Sequence, residues 1–161
     1  MKKLLCLILL LSLLCCMLCS CFSTGGEDNQ GNGTVSPSGS DSNLGDYKVT
    51  IDSCRMATDY KDKPIVIIKY TFTNNADDPA SFYVTFDAEV FQDGIGLNRC
   101  YVVADSANYS EDNQTKEIKK GATLSVEVAY ELNDTTTDIE VEVEEFFSFS
   151  GKKVTKTFSL S

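Results

Sequence analysis

Between Pro64 and Phe91 apolar residues recur at every second position, the spacing of half-buried strands. Val66, Ile68, Tyr70 and Phe72 share one parity of the run Ile65 to Thr73, and Phe82, Val84, Phe86 and Val90 share one parity of the run Ser81 to Phe91. Successive strand side chains point to opposite faces. A pleated ribbon with the turn Asn74-Asn75-Ala76-Asp77-Asp78-Pro79 between its strands would therefore direct both sets at one core.

The same pattern continues on both sides. Tyr47 to Met56 carries Val49 and Ile51 at strand spacing, and the change of parity at Cys54 and Met56 predicts a bulge or a strand end near Ser53. Asp93-Gly94 between apolar runs signals a tight hairpin, with a return strand over about Ile95 to Val103. Asp105 to Lys116 is polar and reads as the longest loop. After Lys119-Lys120-Gly121, the residues Leu124, Val126, Val128, Tyr130 and Leu132 alternate without a break. Asn133-Asp134-Thr135-Thr136 turns the chain into Asp138 to Phe147, with Ile139, Val141 and Val143 inward and Glu140, Glu142 and Glu144 outward as a solvent-facing edge. Ser150-Gly151-Lys152 then closes a hairpin into Val154 to Leu160. About seven short strands separated by turn signals predict an all-β fold, an immunoglobulin-like antiparallel sandwich over residues 47–161.

The first 46 residues follow other rules. Lys2-Lys3 precedes Leu4 to Leu18, an uncharged run of about 15 residues. That is short of the about 20 a bilayer span needs, but right for the apolar core of a signal peptide. It ends in Leu18-Cys19-Ser20-Cys21, which resembles the bacterial lipobox: an aliphatic residue three places before a cysteine and a small residue just before it direct lipid transfer to that cysteine and cleavage in front of it. Leu18, Ser20 and Cys21 match, whereas Cys19 departs from the usual small residue. Residues 1–20 are therefore expected to be a lipoprotein signal peptide and Cys21 the lipid attachment site, with acyl chains such as palmitate holding the mature chain on the membrane. Residues 21–46 are rich in Gly, Ser and Asn and bury too little to repay ordering. As a flexible linker, about 24 such residues reach roughly 25–30 Å.

Composition narrows the function. Across 161 residues, 24 Asp and Glu stand against 14 Lys and Arg, a formal charge of −10 that becomes about −12 once Lys2 and Lys3 leave with the leader. Such a chain lacks the clustered cations that nucleic acid or anionic lipid requires. With no His, a Ser-His-Asp triad and imidazole metal ligation are excluded, and with no Trp an aromatic sugar platform would rest on Tyr. Cys54 and Cys100 are the cysteines of the exported domain, candidates for a disulfide or for two buried thiols. Asp77-Asp78, Asp105, Glu111-Asp112 and Asp134 fall in turns without the spacing of a calcium loop. No catalytic, metal-binding or cofactor-binding residue is singled out, and no cofactor is expected.

The residues Lys63-Pro64, Tyr70-Thr71-Phe72-Thr73-Asn74-Asn75, Phe91-Gln92-Asp93-Gly94, Glu117-Ile118-Lys119 before Gly121, Tyr130-Glu131-Leu132-Asn133-Asp134 and Val141-Glu142-Val143 carry a family likeness. Over Tyr47 to Leu160 the chain resembles small Gram-positive lipoproteins with a C-terminal immunoglobulin-like domain of unknown function, akin to secreted immunogenic proteins. Lys120 stands where that family often has Pro. The resemblance implies a fold and no catalytic residues. The expectation is a non-enzymatic lipoprotein on the extracytoplasmic face of the cell membrane. Its domain would bind an extracytoplasmic protein or glycan through a strand edge or the loop Asp105 to Lys116. The alternative is a small envelope-associated hydrolase or calcium-dependent enzyme using loop carboxylates. Replacing Cys21 with Ala, or growth with globomycin, is expected to leave the leader uncleaved; unchanged size and membrane fractionation on gels would contradict the lipid anchor.

Overall fold

The computed structural model describes residues 42–102, 109 and 111–161; the leader, Cys21, most of the linker, and residues 103–108 and 110 of the long loop lie outside the described residues. The described chain forms eight strands and two short helical turns: β1 (Asn43–Leu44), β2 (Tyr47–Thr58), β3 (Pro64–Asn74), α1 (Phe82–Thr85), β4 (Phe86–Gln92), β5 (Ile95–Gly96), α2 (Asp112–Thr115), β6 (Thr123–Glu131), β7 (Ile139–Glu145) and β8 (Lys153–Phe158). Two antiparallel four-stranded sheets result, ordered β1-β2-β3-β6 and β5-β4-β7-β8.

The ribbon expected from Pro64 to Phe91 is not a hairpin. β3 pairs with β2 and β6, whereas β4 pairs with β5 and β7, so the turn after Asn74 carries the chain from one sheet to the other. Val66, Ile68, Tyr70 and Phe72 still meet Phe82, Phe86 and Val90, but across the gap between sheets. The second strand also begins later than its alternation implies. Phe82–Thr85 is one helical turn, and Val84, expected inside, is 69% exposed.

Other boundaries move for local reasons. Asn43–Leu44, within the segment read as linker, pairs with Lys48 and Tyr47, and Leu44 is buried. The register of β2 shifts between Ile51 and Ser53, which is the bulge expected there; the Ile51 and Asp52 carbonyls accept bonds from Lys156 Nζ at 2.9 and 2.8 Å. Asp93 and Gly94 both adopt positive φ, 52° and 73°, as a two-residue hairpin loop demands. The return strand ends at Gly96, because Leu97 to Cys100 crosses to the first sheet. There Arg99 bridges Tyr130, Cys100 N donates to Ala129 O, and Glu131 N donates to Asn98 O. β7 lies between β4 and β8, so Glu140, Glu142 and Glu144 form the outer face of an interior strand and not an edge.

Ile65 and Ile67 are buried on the face opposite Val66 and Ile68, under Val102 and Tyr109 of the long connection. That accounts for the four consecutive apolar residues Ile65-Val66-Ile67-Ile68: this part of β3 is covered on both sides. α2 is held along β6 by Gln114 Nε2 to Glu127 O (2.7 Å) and Asn113 Nδ2 to Ser125 O (2.9 Å).

Two buried amides pin the connections between sheets. Asn74 donates to Asp78 O and Ile118 O at 2.8 and 2.9 Å and accepts from Ala76 N at 2.9 Å. Gln92 donates to Asp134 O and Thr137 O at 3.1 and 2.9 Å and accepts from Asn133 N and Asp134 N at 2.9 and 3.3 Å. Within the turn that Gln92 holds, Asp134 accepts from the backbone N–H groups of Thr137 and Thr136, which hold its pKa down to about 2. Gln92→Leu keeps the volume but strands these backbone groups. It is expected to lower stability by about 1–3 kcal/mol, read as a reduced urea midpoint at unchanged slope; a wild-type midpoint would show that the turn is held without this amide.

Candidate functional site

β5 covers only the Gln92 end of β4, pairing at Phe91 and Gln92, and Leu97 N extends that contact to Val90 O, so among the described residues no strand pairs with Phe86 to Glu89 on the side away from β7. A groove of about 510 Å³ runs along this edge, within the size range of ligand sites. Its ends are set by two features. At the Phe86 end stand Tyr83 and Val84 of α1 with Phe146 and Phe147 of the β7–β8 turn; at the Val90 end stand Gly96 and Leu97.

The helical turn builds the first wall. Phe82 and Phe86, four residues apart, fall on one side and pack into the core with ring centroids 5.4 Å apart. Tyr83 and Val84 must then face outward, and Tyr83 is 57% exposed. The β7–β8 turn adds the rest. Phe146 N donates to Thr85 O at 2.8 Å, and its ring meets that of Phe147 edge-on at 4.8 Å. Phe147 is 88% exposed and has φ of 78°. For a bulky residue this left-handed backbone costs about 1–3 kcal/mol and is characteristic of functional positions.

The floor is polar at one place. Ala88 O accepts from Tyr130 Oη and from Arg99 Nη2, both at 2.9 Å, and Val90 O accepts from Leu97 N at 2.8 Å. Behind Tyr130, the hydroxyl of buried Tyr70 lies close to its neighbour's without hydrogen-bond geometry. Burial pushes the pKa of Tyr70 well up, and burial likewise raises that of Tyr130, with Arg99 pulling part of the way back. Both therefore remain O–H donors at neutral pH and are not phenolate bases. Asp87 and Glu89 form the outer rim. The arrangement is suited to holding backbone and side chains of a ligand.

None of these wall residues was legible as a site. Val84 had the parity of a core residue, and Phe147 that of a strand end. The usable signal is Phe146-Phe147-Ser148-Phe149, where apolar residues stop alternating just before a Ser-Gly turn.

The sequence-selected residues fall elsewhere. In the structure Cys54 and Cys100 are unbridged. Cys54 packs on the core between the sheets and Cys100 on the cluster at the opposite face of the first sheet, so the sheet itself separates them. Asp77 pairs with Lys120 at 2.6 Å, Asp134 closes its own turn, and Glu111 and Asp112 border α2, so these acids are dispersed; Asp105 lies outside the described residues. Among the described residues no group of three or more His, Cys, Asp or Glu is placed to hold a metal ion.

Burial pushes the Cys100 thiol up to about 11, with Glu131 and Asp59 adding to it, and burial also raises Cys54. Both are expected to react slowly with iodoacetamide at pH 8 in the native protein and fully once unfolded, with the same masses with and without reductant. A loss of labelling in the absence of reductant would reveal a bridge.

The profile of one family, described as a domain of unknown function (DUF5067), matches residues 24–145. No curated protein and no solved structure matches.

Proposed function

We propose, for a chain that belongs to the DUF5067 family of domains of unknown function, that it is a non-enzymatic binding module held on the outer face of the cell membrane by lipid on Cys21. The β4-edge groove takes an extracytoplasmic partner. The observation that carries the reading is the coincidence of an unpaired strand edge with exposed aromatic walls at one groove. Edges are normally covered, and large apolar side chains are normally withdrawn; an edge guarded here only by Asp87 and Glu89 beside exposed rings favours a partner matched to it.

The domain carrying it is immunoglobulin-like in this reading. The orders β2-β3-β6 and β8-β7-β4-β5 correspond to A-B-E and G-F-C-C′ of that fold, and the crossing after β5 takes the place of strand D. Support for the address comes from the leader, the Leu18 to Cys21 motif and the polar linker. The linker keeps the groove within reach of the wall and of neighbouring membrane proteins.

A photo-crosslinking amino acid placed at Tyr83 in the full chain, in growing cells, is expected to give a discrete adduct. The same probe at Thr155, on the outer face of β8, is expected to give none. Equal adducts at both positions, or none at either, would overturn the assignment of the groove.

A further inference from the structure

We infer that the occupant of the groove is an extended polypeptide segment that joins the second sheet as a strand beside β4, with basic side chains at every second position; the inference rests on the binding role proposed for this edge. The backbone sets the mode. The carbonyls of Ala88 and Val90 point away from β7, as their bonds from Arg99, Tyr130 and Leu97 show. Because Leu97 N already holds Val90 O, an incoming strand would run along Phe86 to Glu89, about 10–14 Å at strand rise, and the exposed Arg99 side chain on Ala88 O occupies a place that one of its N–H groups would take.

Charge sets the sequence. Asp87 lies directly opposite Glu144, and Glu89 opposite Glu142, on the outer face of the sheet. Lys153 reaches Glu142 at 2.6 Å and Glu144 at 3.8 Å, and among the described residues no ion pair reaches Asp87 or Glu89. Like charges opposed across a ladder are destabilising, and an added strand places its own outward side chains beside the same two carboxylates. Lysine or arginine there relieves the repulsion. The alternate side chains turn inward toward Leu97, Tyr130 and the Arg99 guanidinium, which accept apolar groups and reject a cation. A second copy of this chain paired through the same edge would set Asp87 and Glu89 against Asp87 and Glu89, the combination the charges disfavour.

The chain has no Trp, so a Trp placed in a probe peptide reports alone. Capped peptides alternating Lys and Val around one Trp, titrated into the detergent-solubilised full chain, are expected to bind saturably by fluorescence anisotropy. Asp87→Lys with Glu89→Lys should weaken binding about tenfold or more. Replacing Lys by Glu in the peptide, or N-methylating every second amide, should abolish it. Equal binding of the Glu peptide, retention by the double variant, or indifference to N-methylation would overturn the inference. So would a dimer, seen by sedimentation, that the double variant abolishes, since that assigns the edge to a second copy. If the double variant loses its wild-type melting transition, the methylated peptide on the unaltered chain still decides. Adducts at Tyr83 without binding of the Lys peptide would refute the partner chemistry alone; absence of adducts as well would refute the groove.

Discussion

Phe82 and Phe86 pack against Phe72 at 6.4 and 5.3 Å between ring centroids, and Tyr47 and Tyr70 complete the cluster at 5.9 Å from Phe86 and 5.0 Å from Phe82. These rings join the two sheets where the chain has just passed from one to the other. Each such pair adds about 0.5–1.5 kcal/mol beyond the area it buries. One helical turn lets two phenylalanines four residues apart enter the same core, and Tyr83 and Val84 between them are turned out while Thr85 stays buried. The exposed wall of the groove is therefore a by-product of the best-packed part of the interior.

The edges of the sheets are treated unequally, and the inequality locates the groove. Asn98 to Cys100 covers the free edge of β6, and Lys156 ties the β8 edge back to the bulge in β2. The same crossing that protects β6 shortens β5 to two residues and leaves β4 open. Side chains, not a strand, cap its Ala88 carbonyl.

Acidity is likewise distributed with consequence. Arg55 and Glu127 form a pair at 3.2 Å on the first sheet, and Lys153 serves two carboxylates on the second. Asp87 and Glu89 sit at a margin of the second sheet where, among the described residues, no neighbouring strand pairs. Two of the carboxylates behind the negative charge read from composition thus stand at this edge without an ion-pair partner among the described residues.

Sequence alone determined the local rules: the alternation of β6 and β7, the parity break that becomes the bulge near Ser53, and the Asp93-Gly94 turn. Each of these is dictated within a few residues by the pleat or by the φ that Asp and Gly tolerate. Tertiary structure alone decided which strands are neighbours, because alternation fits any partner equally well and pairing is settled by residues far apart in the chain. It made the Pro64 to Phe91 ribbon a crossover, turned Val84 outward, set Cys54 and Cys100 on opposite faces of one sheet, and left the edge of β4 unpaired.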